Sequence, residues 1–284
     1  MSEILVETRN LFLKTKSNFI LKKFFSHLEN YKKLSIIKYN KILQQKLGIT
    51  SVDFKEETQT EIEVKIKKDY IGKNEGKKIK LINIDEKENS LNDYFTIYLS
   101  ENGETKIIKK NFIEENGNTP PKVKIIINYN VYDFNCLFKG CVRLETIKFI
   151  KIRKKIKNMS QMFDCCGYLT SIDFSNINTD NVYDMSYLFN QCGSLTSLNL
   201  SNFNTQNVTD MSFMFFGCGM LEHLIINPKK FRLDNVIDMK YMFYECFSIN
   251  NREKVYLFFQ KRLKELGITR RVFFGYEMVI ELNK

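Results

Sequence analysis

The sequence feature that most constrains the fold is a cysteine that returns at a nearly fixed interval. Cys141, Cys166, Cys192, Cys218 and Cys246 are separated by steps of 25, 26, 26 and 28 residues. A phenylalanine lies three residues before each of these cysteines, and a leucine lies three residues after the first four. Five sequence segments that align in one register indicate an array of repeats. Units this short must stack on their neighbours to bury their apolar side chains.

Each repeat has two halves with different apolar periods. In the line NVTDMSFMFFGC, Val208, Met211, Met214 and Phe215 follow the spacing of one helix face, and Asn207 stands at the place of a helix N-cap. The second half, LTSLNL at 195–200, ends in the alternation of a short strand. The pattern therefore predicts one helix and one parallel strand in each repeat of about 26 residues.

The repeated line resembles a known family. The succession of L-x-x-L-x-L, a polar loop, N-V-x-D-M, M-F and C over residues 123–250 resembles the BspA-like class of leucine-rich repeats. The resemblance implies an α/β fold, a leucine-rich-repeat solenoid with a parallel sheet on its concave side. It also implies a role in holding other molecules, and it implies no catalytic residues.

The rest of the chain divides by periodicity into three further segments. Residues 1–58 carry helical apolar stripes and form a helical N-terminal segment, and residues 59–122 alternate as strands and form a β-rich adaptor. The repeats occupy 123–250. Residues 251–284 are expected to form a helix-strand cap over the open end of the array.

The five repeated cysteines are interpreted as a structural ladder. A residue that is the same in every repeat is dictated by the repeat, and a ladder spreads its thiols along an axis, whereas a zinc site converges four ligands at one point. Disulfides between adjacent repeats are compatible with the repeat spacing, although a reducing compartment would disfavour them. Cys136 and Cys165 lie off the ladder, and Cys165 is the thiol to test for reactivity.

The sequence contains none of the common catalytic motifs. GxxxxGK[ST], GxGxxG, HExxH and GxSxG are absent, and the two histidines, His27 and His223, lie beside no recognisable partner motif. The sequence therefore predicts that the protein is not an enzyme and uses no cofactor or metal.

The net charge of +11 is unevenly distributed. Residues 158–248 contain nine Asp and Glu against four Lys and Arg, a net charge of −5, so the positive charge lies in the flanking segments. A nucleic-acid-binding protein concentrates positive charge on its main surface, so no nucleic acid is expected as a partner. In the basic run KFIKIRKKIK at 148–157, Phe149, Ile152 and Ile156 are interpreted as core contacts, and the lysines are interpreted as facing water.

The apolar runs are too short to cross a membrane. None approaches the ~18 residues that a membrane span needs, and the first residues lack the layout of a signal peptide. The predicted location is cytoplasmic, and the cell surface would be reached only by a non-classical route.

Recognition by a surface remains as the predicted role. If Leu198 and Leu200 point inward, the residues beside them point to the concave face. The candidate binding residues of three successive repeats are Ser171, Asp173, Ser175, Ser197, Asn199, Ser201, His223, Ile225 and Asn227. The equivalent residues of the first repeat are Thr146, Lys148 and Ile150. A rigid sheet with short polar side chains suits a protein or peptide ligand, because the sheet loses little conformational entropy when it binds. The alternative is that these side chains are solvated spacers.

The predicted function is a non-enzymatic protein-protein interaction scaffold. One alternative is an F-box-like substrate receptor of a ubiquitin ligase. Residues 19–43, FILKKFFSHLENYKKLSIIKYNKIL, resemble an F-box, although they lack its usual Leu-Pro and Trp. The other alternative is a cell-surface adhesin, which the family resemblance suggests.

Overall fold

The chain divides into two compact units, residues 1–59 and residues 60–284. The structure, a computed structural model, describes Gln45 and residues 59–67, 78–83, 95–101, 104–108, 110–114, 122–127, 133–152, 156–249, 252–265, 272–275 and 277–280. The predicted helical segment 1–58, with its F-box-like stretch, therefore lies outside the described residues except for Gln45. The predicted segment boundaries at 58, 122 and 250 stay predictions.

Six strands of the second unit form one sheet. They are β1 (Thr60–Ile66), β3 (Phe95–Glu101), β4 (Glu104–Ile108), β6 (Lys122–Ile127), β7 (Leu144–Lys151) and β8 (Ser171–Asp173). Their order is β4-β3-β6-β1-β7-β8. All neighbours are antiparallel except β7 and β8, which are parallel. A separate antiparallel pair joins β2 (Lys78–Lys80) to β5 (Phe112–Glu114).

Strand β1 links the strands that precede the repeats to the repeats themselves. Its alternating apolar residues Ile62 and Val64 are buried on one side of the sheet, opposite Ile125 and Val123 of β6. The other edge of β1 pairs with β7, the strand of the first repeat. The first repeat therefore continues the sheet of the preceding segment.

The second halves of the repeats form short parallel strands. After β7 and β8 come β9 (Ser197–Leu200) and β10 (His223–Ile226), which pair in parallel with Leu198 opposite Leu224. Both leucines are buried, because alternate residues of a strand point to opposite faces.

The first halves of the repeats are turn segments: residues 133–141, 158–166, 184–192, 210–218 and 238–246. In the first four segments every second N–H donates to a carbonyl of the next repeat, and in the second segment these are the N–H groups of Met159, Gln161, Phe163 and Cys165. The N–H groups between them close turns onto the carbonyl three residues earlier, as those of Met162, Asp164 and Cys166 do. An α-helix instead bonds each N–H to the carbonyl four residues earlier, so these segments are not helices.

Left-handed backbone residues fit this turn arrangement. Two positions in each segment have positive φ, with values between 53° and 72°: Cys136, Gln161, Tyr187, Phe213 and Tyr241 at the first, and Gly140, Cys165, Gln191, Gly217 and Glu245 at the second. A residue in this region interrupts a right-handed helix.

The predicted α/β leucine-rich-repeat solenoid is therefore wrong. The described residues are mostly β, and α1 (Arg252–Glu265), the one helix whose bounds the structure describes, follows the repeats. The helical spacing misled because Val208, Met211, Met214 and Phe215 are all buried in the turn segment. In a series of tight turns, as in a helix, side chains with this spacing point to the same side.

The core between turn segments and strands is a column of phenylalanine rings. Consecutive rings are nearly parallel, with centroid distances of 5.8, 5.7, 5.6 and 5.1 Å along Phe138, Phe163, Phe189, Phe215 and Phe243. After the fifth repeat, Phe259 of α1 packs edge-on against the last ring at 5.3 Å. The strand β11 (Phe243–Tyr244) pairs in parallel with β12 (Val272–Gly275), which pairs with β13 (Glu277–Ile280).

Candidate functional site

The five repeated cysteines lie in one buried column beside the phenylalanine rings. Four thiols donate a hydrogen bond to a phenylalanine carbonyl of the preceding repeat: Cys166 to Phe138 at 3.1 Å, Cys192 to Phe163 at 3.1 Å, Cys218 to Phe189 at 3.1 Å and Cys246 to Phe215 at 2.9 Å. The same carbonyls accept a turn N–H, so the thiol supplies the second bond that a buried carbonyl can accept.

The chemistry of this column is that of neutral thiols. Burial raises the pKa of Cys141 and of Cys218 to about 12, and it raises the pKa of Cys166, Cys192 and Cys246 well above the usual value. Thiolate is the nucleophile and the metal ligand, so this column offers neither at neutral pH. Across the described ranges, no group of three or more His, Cys, Asp or Glu is placed to hold a metal ion.

The two cysteines off the ladder lie at the positive-φ positions of their turn segments. Cys136 is partly exposed and donates to Asn135 Oδ1 at 3.1 Å, and Cys165 is exposed and donates to Asp164 Oδ1 at 3.3 Å. Partial burial raises the pKa of both thiols. In the case of Cys165, the hydrogen bond to Asp164 and its charge raise the pKa further. Neither thiol is therefore set up as a nucleophile.

The candidate binding residues lie on the solvent side of the short parallel strands, which we call the strand face. Its first row is Ser171, Ser197 and His223, and its second row is Asp173, Asn199 and Ile225. All six are exposed except Asp173, which is partly exposed. Parallel register aligns the rows, because His223 lies opposite Ser197 and Ile225 opposite Asn199.

Some of the predicted binding residues also close the loop that follows each strand. Ser175 N–H donates to Asp173 Oδ1 and Ser201 N–H donates to Asn199 Oδ1, both at 3.0 Å. In the next repeat Asn227 Oδ1 accepts a hydrogen bond from the N–H of Lys229 at 3.0 Å. These bonds explain why Asp and Asn recur near the strand ends, and no bound ligand is needed for that explanation. The bonds from Ser175 also lower the pKa of Asp173.

The strand face includes β7, where the sequence predicts Thr146, Lys148 and Ile150 as equivalent residues, and it extends beyond the predicted residues onto β1. Thr146 of β7 lies opposite Ser171 on one side and Lys65 of β1 on the other. Lys148 likewise lies between Asp173 and Glu63, and its Nζ is 3.9 Å from the Asp173 carboxylate. Sequence reasoning missed the β1 residues, because the pairing of strands about 80 residues apart leaves no local signal. The alternation of apolar and polar residues in β1 is the only local signal, and it predicts which side chains are exposed but not which strand β1 pairs with.

The comparisons with known proteins give one family match. Residues 130–256 match the family model described as DUF285, Mycoplasma protein of unknown function. No curated protein matches the chain, and no solved structure matches it. The family match covers the repeats and less than half of the chain.

The resemblance to BspA-like leucine-rich repeats is wrong. The family that matches is DUF285, and the turn segments stand where that resemblance implies helices. Within the described part of the chain, no helix is both long enough and apolar enough to cross a membrane.

Proposed function

We propose that the chain is a non-enzymatic protein-interaction module that holds a protein or peptide partner on the strand face. The observation that carries this proposal is the continuity of the face from β1 through β7 and β8, with β9 and β10 next in the stack. Ladder hydrogen bonds tie β1 to β7, β7 to β8 and β9 to β10, and β9 lies next to β8 without a ladder between them. A partner therefore meets a surface whose backbone is already ordered, which lowers the entropic cost of binding.

The side chains of the strand face favour an uncharged, hydrogen-bonding partner surface. Ser197, Asn199 and His223 donate and accept hydrogen bonds, and the carboxylate of Asp173 already faces Lys148. Ile225 is 48% exposed in the middle of these polar groups and offers an apolar contact. An apolar contact surrounded by polar groups is the usual composition of a binding surface.

The dimensions favour a peptide or a transient partner. Five strands at about 4.8 Å spacing, from β1 to β10, give a width of roughly 19 Å, and four residues along a strand give ~13 Å. The resulting area of roughly 250 Å² is smaller than the ~800 Å² that each partner of a standard interface buries. We therefore expect micromolar rather than nanomolar affinity.

The test is affinity capture from extracts of cells that make the protein, with the full chain as bait. The strand-face variant carries Ser197→Arg and Asn199→Arg. The control carries Gln206→Arg and Ile237→Arg, which add the same charge at exposed positions outside the strand face. We expect a partner that the parent and the control retain and the strand-face variant loses. The same set of proteins on all three baits would refute the strand face as the binding surface.

The cytoplasmic location is part of the same proposal. Fractionation with antibody labelling of intact cells measures it, and we expect no labelling before the cells are opened. Labelling of intact cells would contradict this location and favour the adhesin.

A further inference from the structure

A second surface lies on the exposed side of the turn segments, which we call the turn face. Its aromatic rings form two rows in repeats 3 to 5, Tyr187, Phe213 and Tyr241 in one row and Phe216 and Tyr244 in the other. Tyr187 and Phe213 stack at 4.6 Å, and Phe213 contacts Phe216 across the two rows at 5.6 Å. All five rings are partly exposed. In repeats 3 and 4 a buried cysteine and a buried leucine, Cys192 with Leu195 and Cys218 with Leu221, lie in the chain between the turn face and the strand face.

The aromatic character of the turn face is not required by the repeat. At the same positions, repeat 2 has Gln161 and Asp164, and repeat 3 has Asn190 in the second row. There the side chains form a polar network, in which Lys139 pairs with Asp164 at 2.9 Å and Asn190 donates to Asp164 at 2.6 Å. Polar residues therefore satisfy the fold at these positions, so the repeat alone does not require the aromatic rings, which stack on one another where they occur.

A row of carboxylates runs beside the aromatic rows. Asp184, Asp210 and Asp238 begin the turn segments of repeats 3 to 5 and are joined by parallel bridges. Each Oδ1 accepts the N–H two residues on, at 2.8 to 2.9 Å. No Lys or Arg in the described part of the chain lies within ion-pair distance of these three carboxylates. The surrounding residues 158–248 carry a net charge of −5.

We propose that the turn face of repeats 3 to 5 binds a basic, proline-rich segment of a partner protein in the polyproline II conformation. Aromatic rows recognise prolines, because a rigid apolar ring packs against the exposed edges of the stacked rings at low entropic cost. The carboxylate row and the negative charge of the repeats supply the complement for Lys or Arg between the prolines.

The repeat spacing selects this conformation over an extended strand. Polyproline II advances about 9.3 Å in three residues, and two repeats advance about 9.4–9.8 Å. Every third residue of such a segment therefore meets an equivalent place two repeats further along. A β-strand repeats its side-chain direction every 6.4–6.8 Å, roughly, which matches neither one repeat nor two.

The direct test is fluorescence anisotropy with the full chain and a labelled peptide of about ten residues, with proline at every third position and arginines between. One control peptide replaces the prolines with glycine and keeps the arginines. The other keeps the prolines and replaces the arginines with glutamate. We expect the first peptide to bind in the micromolar range and both control peptides to bind at least tenfold more weakly.

The protein variants use residues that neighbouring repeats already carry at the same positions, so they preserve the fold. Phe213→Gln copies Gln161, and Phe216→Asn copies Asn190. We expect this double variant to bind the first peptide at least about tenfold more weakly than the parent, because aromatic anchors carry most of the energy of such contacts. A strand-face control, His223→Ser with Ile225→Asn, should bind like the parent.

The carboxylate row is tested by Asp184→Asn with Asp210→Asn. Asn158 shows that Asn keeps the turn, because its Oδ1 accepts Ser160 N–H at 2.8 Å. We expect about three- to tenfold weaker binding and a flatter dependence on salt.

Three results would overturn the proposal. They are no binding of the first peptide at about millimolar concentration, equal affinity for the glycine-substituted peptide, and parent-like affinity in the Phe213 and Phe216 variant. Loss of binding in the strand-face control would also overturn it. The first three results do not bear on the proposed strand-face function, which is tested by capture, whereas loss of binding in the strand-face control would place the peptide on the strand face.

Discussion

The stacked phenylalanine column should make the central repeat more sensitive to truncation than the first repeat. Phe138 and Phe189 are both fully buried, so replacing either with alanine removes the same apolar side chain from the core. The two rings differ in their aromatic neighbours. Phe189 contacts Phe163 at 5.7 Å, Phe215 at 5.6 Å and Phe174 at 5.9 Å. Phe138 stacks on Phe163 at 5.8 Å.

The magnitude follows from that difference. A buried Phe→Ala substitution costs about 3–5 kcal/mol of unfolding free energy, including the cavity. Each aromatic pair adds about 0.5–1.5 kcal/mol beyond burial, so two additional pairs make Phe189→Ala about 1–3 kcal/mol more costly than Phe138→Ala. In a unit of the size of residues 60–284, each kcal/mol lowers the melting temperature by about 2–4 °C.

The assay is urea unfolding followed by circular dichroism, with thermal melts as a second measurement. Both variants must show the parent spectrum in the absence of urea. We expect the midpoint of Phe189→Ala to lie clearly below that of Phe138→Ala. Equal unfolding free energies, within about 0.5 kcal/mol, would show that the column adds nothing beyond apolar burial and would refute the reasoning.

Three further predictions concern single positions in the repeats. Cys192→Ala should cost only about 1 kcal/mol, because the carbonyl of Phe163 keeps its turn N–H bond at 3.1 Å; urea unfolding measures this, and a cost above about 3 kcal/mol would contradict it. Asp173 has a lowered folded pKa, so its stabilising effect should be present above the unfolded value near 3.8 and be lost as the pH falls through the folded value. Asp173→Asn should therefore flatten the acid side of a stability-against-pH curve, and an unchanged curve would exclude this linkage. Gly217→Ala should destabilise by about 1–2 kcal/mol in thermal melts, because φ is 72°, whereas the Gln191 amide near the added Cβ is the end of a flexible side chain and can move away; a neutral effect would show that the turn adjusts freely.

The sequence predicts which side chains of different repeats meet, but it does not predict the backbone between them. A fixed interval places equivalent residues side by side, so the cysteine and phenylalanine columns follow from counting. The apolar spacing of Val208, Met211 and Met214 suits both a helix and a series of turns. Only the alternation of bonds within and between repeats distinguishes the two, and those bonds are made by backbone atoms that the sequence does not specify.

The structure supplies a physical reason why helices do not fit these repeats. Neighbouring helices lie about 8–10 Å apart, whereas stacked strands lie about 4.8 Å apart. A thiol that bonds a carbonyl of the preceding repeat at 3.1 Å, as Cys192 does with Phe163, needs the shorter spacing. The strict recurrence of both residues is therefore better explained by extended, closely stacked segments than by helices.

The candidate site shows the same division between what counting predicts and what it does not. Alternation around Leu198 and Leu200 predicts that Ser197 and Asn199 are exposed, and both are. It does not predict that Asn199 closes the following loop, because that bond depends on the turn after the strand. It also does not predict that β1 extends the strand face, because β1 and β7 meet only in the folded chain.

Differences between repeats are the best guide to function in a chain built this way. Where a residue must bond to the neighbouring repeat, the repeats agree, as the cysteine column and the Asp or Asn at the start of each turn segment do. Where the fold tolerates any residue, the repeats diverge, and selection by a ligand can act on the divergence. The first turn-face row changes from Gln161 to Tyr187 and Phe213, and the strand face changes from Ser197 to His223, with the backbone unchanged. These divergent positions, and not the conspicuous cysteines, are therefore where binding should be sought.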